Sequence, residues 1–402
     1  MLSIVIKKFL NRNVPIGPVI ICLAILLGGI NFVFWNVVYS FNINPDNRVK
    51  ASLLFLVTDR VCVNCECGSG ISFGTLSLFK VTTLHIPING QDPNILRAVH
   101  CSGDNTLIRY NQENFITAIK YAMTPSRRTR RPVTIAIYGY NTTVSGAILT
   151  TKDLTDDLKL HGPVLVYSWP SQGEIWPWSY RKDLVTVNST NADLAHFLML
   201  LNNNHINNIN IIIHSMGAIA ISQALQSNAF RPRITKPIYS IALAAPDLGE
   251  PEAALALRVL LKYAHYLDIY VSNKDYALKL SAAANIWPGP WVSRLGSGKQ
   301  FPRSVNDITK KDLTRLRIID ASQSSCEDFS NTLLYKNLLQ FDISSLFGHG
   351  YYLTRPIYDV IAESFSTDGT PGNRFRSGGL NEVPTISSLG VRTVTITPES
   401  PC

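Results

Sequence analysis

The chain has 402 residues, 46% of them hydrophobic, and a formal charge of +9, enough apolar material for one large core or two modest domains. The first 50 residues hold five of the 37 basic and one of the 28 acidic residues, so the remainder carries +5, scattered apart from Arg127-Arg128-Thr129-Arg130-Arg131. That is an ordinary solvated surface, and it excludes nucleic acid as the expected partner.

Lys7, Lys8 and Arg12 mark a basic segment over residues 1–12, expected to be cytoplasmic, ahead of an uncharged stretch over 13–44. Its centre is mostly Ile, Leu, Val, Ala, Gly and Phe, with Trp35 and Tyr39 near the far end. About 20 apolar residues in a helix cross a bilayer core, so residues 13–39 are expected to form a transmembrane anchor. A cleaved signal is the alternative; the apolar region is long for one, and no clear small-x-small site precedes Trp35. Either way the rest is exported, a setting in which a disulfide can persist. Cys62, Cys65 and Cys67 cluster as Cys-x-x-Cys-x-Cys, with Cys101 further on. A zinc site would want a second well-spaced pair, for which His85 and His100 are poor candidates, so a local disulfide or free thiols are expected and no metal.

Residues 40–50 read as a polar linker. A strand is expected over 53–57, strand-like alternation over 71–86, and a helix over 111–123 with Phe115, Ala118, Ile119 and Ala122 on its apolar stripe. From residue 132 strands and helices alternate. Strands are expected over 133–137, 164–167, 211–213, 238–244, 267–271 and 316–319, and helices over 143–158 and 218–225. Thr190 is expected to cap a helix that buries Leu194, Phe197, Leu198 and Leu201. Apolar strands spaced by helices indicate a parallel sheet covered on both faces, an α/β fold spanning residues 51–363. Residues 364–402 are rich in Gly, Pro, Ser and Thr and read as a low-complexity, mostly disordered tail with one short docked strand.

In such a sheet the ligand site lies beyond the C-terminal strand ends. Ser215 stands where the run Ile211-Ile212-Ile213 meets a helix, the position of a nucleophile whose hydroxyl projects beside free helix N–H groups. A serine needs a base and a third group that orients the base. Downstream of Asp275 the chain has one histidine, His349, in Gly348-His349-Gly350, and it is the candidate base. His214 is expected to line or support the site. For the acid, Asp275 and Asp247 each lie just beyond a strand; Asp275 is favoured, and Asp247 is then a loop-holding or substrate-contacting residue. Backbone N–H groups of Met216 and of Tyr140, in Tyr138-Gly139-Tyr140-Asn141, are the expected oxyanion donors, with Gly139 allowing close approach. Serine, acid, histidine is the chain order of an α/β-hydrolase triad. Trp176, Trp178, Tyr180, Trp287 and Trp291 crowd the expected rim, which favours a hydrophobic or lipid-like ester over a peptide.

Over about residues 53–361 the chain resembles the bacterial α/β-hydrolases of unknown function once catalogued as DUF900. Tyr138-Gly139-Tyr140-Asn141, Ser168-Trp169-Pro170-Ser171, His214-Ser215-Met216-Gly217, Ala244-Ala245-Pro246-Asp247, Tyr270-Val271-Ser272 with Asp275, and His349-Gly350-Tyr351 carry the resemblance in order. It implies an α/β-hydrolase fold with Ser215 as nucleophile, Asp275 as acid and His349 as base, and Trp169 and Ser171 shaping the pocket. Tyr138 and Ile213 depart from the pattern, standing where a histidine and a small residue are usual. The expectation is a serine esterase without cofactor, acting on a small-molecule or lipid-like ester. Its placement is the bacterial inner membrane, single-pass, catalytic domain in the periplasm, or secreted or periplasmic after cleavage. A non-catalytic envelope binding or scaffold protein on the same fold is the alternative. The sequence carries no signal of oligomeric state.

Overall fold

Runs of Ile, Val and Leu set the strands, because branched side chains suit a pleated surface buried on both faces. The computed structural model describes residues 54–59, 62–63, 66–67, 81–85, 107–109, 112–124, 131–173, 177–232, 236–284, 293–298, 308–323, 348–353, 355–365, 382–386 and 392–396. Its strands are β1 (Leu54–Thr58), β2 (Cys62–Val63), β3 (Glu66–Cys67), β4 (Val81–His85), β5 (Leu107–Arg109), β6 (Val133–Ile137) and β7 (Val164–Ser168). There follow β8 (Ile209–His214), β9 (Ile238–Ala244), β10 (Ala264–Val271), β11 (Leu316–Asp320), β12 (Glu382–Ile386) and β13 (Arg392–Ile396). The helices are α1 (Gln112–Met123), α2 (Val144–Asp157), α3 (Pro177–Ser189), α4 (Asn191–Asn203) and α5 (Gly217–Gln226). They continue as α6 (Glu250–Tyr263), α7 (Tyr276–Ala284), α8 (Lys310–Leu313) and α9 (Arg355–Phe365).

The main sheet runs β12-β13-β11-β10-β9-β8-β6-β7-β1-β4-β5, and its neighbours are parallel except β12 and β13. A separate ribbon of β2 and β3 makes Cys62 and Cys67 register partners. Successive strand residues point to opposite faces. Ile135, Ile137, Ile211 and Ile213 therefore join one core, with Phe115 and Ile119 of α1, Phe197 and Leu201 of α4, and Leu257 and Leu260 of α6. Ala136, Ile212, Ala242 and Ala244 face the other, against Ala147 and Ile148 of α2 and Ile357, Val360 and Ile361 of α9. Small strand residues on that second face let α9 approach closely. A buried ion pair locks it: Arg317 donates to both Asp268 oxygens at 2.8 and 2.7 Å and to Ser364 of α9 at 2.6 Å.

The two threonines that precede helices behave differently. Thr143 caps α2, its hydroxyl accepting from Gly146 N–H at 3.0 Å. Thr190, expected to cap α4, does not: it stands alone between α3 and α4 with helical backbone angles (φ −75°, ψ −10°) and no side-chain cap bond. A capping residue needs an extended backbone that so short a joint does not allow. Its hydroxyl donates to Asp59 instead.

The N-terminal transmembrane helix expected over residues 13–39 lies outside the described residues. Among the described residues no helix is long and apolar enough to cross a membrane. The longest, α2 and α6, have 14 residues each, about 21 Å at 1.5 Å per residue against a hydrocarbon core of about 30 Å. Among the described residues the fold is therefore a mostly parallel α/β sheet with flanking helices and without a spanning helix. The signal-anchor, the membrane as a partner and the single-pass inner-membrane placement are corrected with it, for they required a spanning helix and the described residues contain none.

Candidate active site

The last residue of β8 is His214, and Gly217 opens α5, so the chain reverses over two residues. Ser215 takes the whole strain of that turn, with φ +54° in the left-handed region that a side chain disfavours. Its backbone is tied on both sides. Ser215 N–H donates to Ala244 O at 3.0 Å, and Ser215 O accepts from Asp247 N–H at 3.2 Å and Ala218 N–H at 3.0 Å. Glycine is required at two contacts. A Cβ on Gly217 would lie 2.8 Å from Tyr138 O, and one on Gly139 would lie 2.7 Å from Ser215 Cβ and 2.8 Å from Met216 N. The loop after β6 is thereby pressed against the serine turn. Ile213 does not crowd that turn: it lies inside the sheet, fully buried in the core shared with Ile137 and Leu243.

The two candidate acids separate. Asp275, fully buried, accepts from Leu278 N–H through Oδ1 at 3.0 Å, capping α7, and its Oδ2 receives His349 Nδ1 at 2.7 Å. Burial pushes the Asp275 carboxyl up, while the His349 imidazole opposes that shift. Asp247 is held elsewhere: Oδ2 accepts from Tyr180 at 2.8 Å, Oδ1 from Ser281 at 2.6 Å, and Arg294 Nε lies 3.3 Å from Oδ1. Geometry, rather than strand order, assigns His349 to Asp275.

His349 reaches that carboxylate because of Gly348, at φ +65°, where a Cβ would lie 2.7 Å from Lys274 O. Only a glycine passes so close to the turn that carries Asp275. Beyond it Tyr351 donates to Tyr270 O at 2.6 Å and pins the chain to β10. The His349 ring sits 4.6 Å from that of His214, which in turn lies 4.5 Å from Tyr352. His214 is thus a supporting wall between the serine turn and His349. Desolvation pushes its pKa well down, and the neighbouring His349 adds to the shift, so it is a neutral group.

The remaining expected residues buttress this arrangement. Tyr138, in place of the usual histidine, buries its hydroxyl against Thr151 of α2 at 2.9 Å, and Trp169 Nε1 donates to Tyr138 O at 2.7 Å. Ser171 donates to Asp183 Oδ2 at 2.6 Å and accepts from Thr142 N–H at 3.2 Å. Of the expected rim aromatics, Trp178 is exposed and Tyr180 is buried; Trp176, Trp287 and Trp291 lie outside the described residues. Sequence reasoning did not find Asp183, Ser281 or Arg294, none of which belongs to a motif, and it quoted Gly348 only as a neighbour of His349 without its role. The i, i+3 spacing of Tyr180 and Asp183 was the one available signal. Among the described residues, no group of three or more His, Cys, Asp or Glu could hold a metal ion.

A parallel sheet with helices on both faces, and a strained strand-to-helix turn at its C-terminal edge, define an α/β hydrolase. The family comparison agrees. The chain belongs to the family described as alpha/beta hydrolase of unknown function, DUF900, whose model matches residues 112–363. No curated protein matches it.

Proposed function

We propose that the protein is a serine hydrolase cleaving carboxylic esters, with Ser215 as nucleophile, His349 as base and Asp275 as its orienting acid. The observation that carries this reading is the 2.7 Å bond between His349 Nδ1 and buried Asp275, at an edge of the sheet where Ser215 alone of the β8–α5 turn is held at positive φ. A carboxylate at Nδ1 keeps the proton there and leaves Nε2 as the basic nitrogen.

His349 Nε2 takes the Ser215 hydroxyl proton as Oγ bonds to the substrate carbonyl carbon. The carbonyl oxygen becomes an oxyanion, received by the backbone N–H groups of Tyr140 and Met216. As the carbon–oxygen bond to the leaving group breaks, His349 returns the proton to the departing alkoxide, and an acyl-serine remains. Water repeats the cycle, releasing the acid and restoring Ser215. The substrate is a small-molecule or lipid-like ester.

The test is covalent labelling with a fluorophosphonate together with hydrolysis of p-nitrophenyl esters of graded chain length. Labelling confined to Ser215, and lost in Ser215→Ala along with turnover, is the expected result. Full turnover by the alanine variant would refute the assignment.

A further inference from the structure

We propose that α3 is the element that sets the oxyanion loop, residues 138–142, with Tyr180 and Asp183 as its positioning residues; this rests on the serine-hydrolase reading. The two lie three residues apart and so share one face of the helix. Both are buried, Asp183 completely. From that face the helix grips the loop at two points.

The first grip is Tyr180. Its ring packs edge-on against Tyr140, with centroids 5.4 Å apart and planes at 71°. Its hydroxyl donates to Asp247 Oδ2 at 2.8 Å and lies 2.7 Å from Ser281 Oγ, which itself holds Asp247 Oδ1 at 2.6 Å. Asp247 N–H in turn donates to the Ser215 carbonyl. A single side chain therefore joins the loop that carries one oxyanion donor to the turn that carries the other. The second grip is Asp183. Its carboxylate accepts from Ser171 Oγ at 2.6 Å and Gln172 N–H at 2.7 Å, and Ser171 Oγ accepts from Thr142 N–H at 3.2 Å. Between Tyr140 and Thr142 stands Asn141 at φ +56°, in the left-handed region that asparagine tolerates better than most side chains.

Backbone donors stabilise a developing oxyanion only if they are already in place, since reorganising them during the reaction forfeits the gain. Neither Tyr180 nor Asp183 is assigned a contact with the reacting atoms. Their effect is the fixed separation between Tyr140 N–H and Met216 N–H.

The experiment compares Tyr180→Phe, which keeps the ring and deletes the hydroxyl, with Asp183→Asn in the full chain. The readouts are p-nitrophenyl butyrate kinetics across pH, melting temperature, and amide exchange over residues 138–142. Each variant is expected to lose about tenfold in kcat, less than the 10²–10³ of deleting an oxyanion donor outright. KM and the pH midpoint should not move, and loop exchange should quicken. The double variant should lose less than the product of the singles, because both act on one loop. A kcat within twofold of wild type, or a loss that comes with a moved pH midpoint, overturns the proposal. If Asp183→Asn does not fold, Tyr180→Phe decides alone. A wild-type chain that fluorophosphonate does not label refutes the hydrolase reading instead; unaltered loop exchange in Tyr180→Phe still refutes the role of α3.

Discussion

Asp275→Asn separates catalysis from stability at one atom. The carboxylate has two engagements: Oδ1 accepts from Leu278 N–H at 3.0 Å, and Oδ2 faces His349 Nδ1 at 2.7 Å. An asparagine has one acceptor and one donor end. The acceptor must stay on Leu278 N–H, because the opposite rotamer sets two donors against each other in a fully buried site. The amide NH₂ then faces His349 Nδ1, which can accept only if its proton moves to Nε2. In the proposed mechanism Nε2 is the nitrogen that takes the Ser215 proton, so the base is lost while the contact survives. A wrong-tautomer histidine costs about 10⁴ in kcat, roughly 5.4 kcal/mol of transition-state stabilisation. Stability should move the other way. Burial raises the Asp275 carboxyl, so the folded state disfavours its charge, and stability present below its unfolded pKa is lost as pH rises through the folded value. Asparagine carries no such penalty, and the variant should melt no lower than wild type at pH 8. Ester hydrolysis and thermal melting on the same preparation check both. More than a tenth of wild-type kcat, in a variant that melts normally, would refute the argument.

Three further outcomes are expected. Gly348→Ala forces a Cβ to 2.7 Å from Lys274 O at a left-handed backbone position, which displaces His349 from Asp275; kcat should fall at least 10²-fold, as about 1 Å of misplacement can cost, while Ser215 stays in place, as a crystal structure of the variant would show. Asp193 is buried and its carboxyl is pushed up to about 6 by desolvation, above its ordinary 3.9 or so. Its contribution to folding is whole below about pH 4 and is lost as pH rises through about 6, a change on the order of 2 to 3 kcal/mol; in urea titrations Asp193→Asn should flatten that slope and exceed wild type in stability at pH 8. Asp268→Ala strands the Arg317 guanidinium between β10, β11 and α9, and chemical denaturation should show a loss of about 3 to 5 kcal/mol, with a cost below 1 kcal/mol sinking the claim that this pair anchors α9.

Much of the candidate site was legible because its residues belong to short local patterns. The turn at Ser215, the glycine of Tyr138-Gly139-Tyr140 and the Trp169 loop each announce themselves within a few positions of a strand end. The pairing of acid with histidine was a preference, Asp275 over Asp247, because both follow strands and no local pattern shows which of them reaches His349. The role of Gly348 was missed for the same reason. Its need for glycine comes from Lys274, 74 positions away, and not from any turn the neighbouring residues spell out. Thr190 misled because its side chain suits a cap, whereas its partner Asp59 stands at the end of a strand far upstream. The expectation of a spanning helix rested on composition over 13–39, and no helix among the described residues has that length.

The order of residues along this chain determined the alternation of strands and helices, and with it the parallel sheet and the edge where chemistry belongs, since hydrophobic period is a local property of a polymer. Only the tertiary structure decided which carboxylate holds His349, that His214 stands as a neutral wall beside it, and that α3 reaches the loop after β6 from one face. Those are contacts between segments distant in sequence, set by how the packed layers meet and by which buried polar groups must find a partner there.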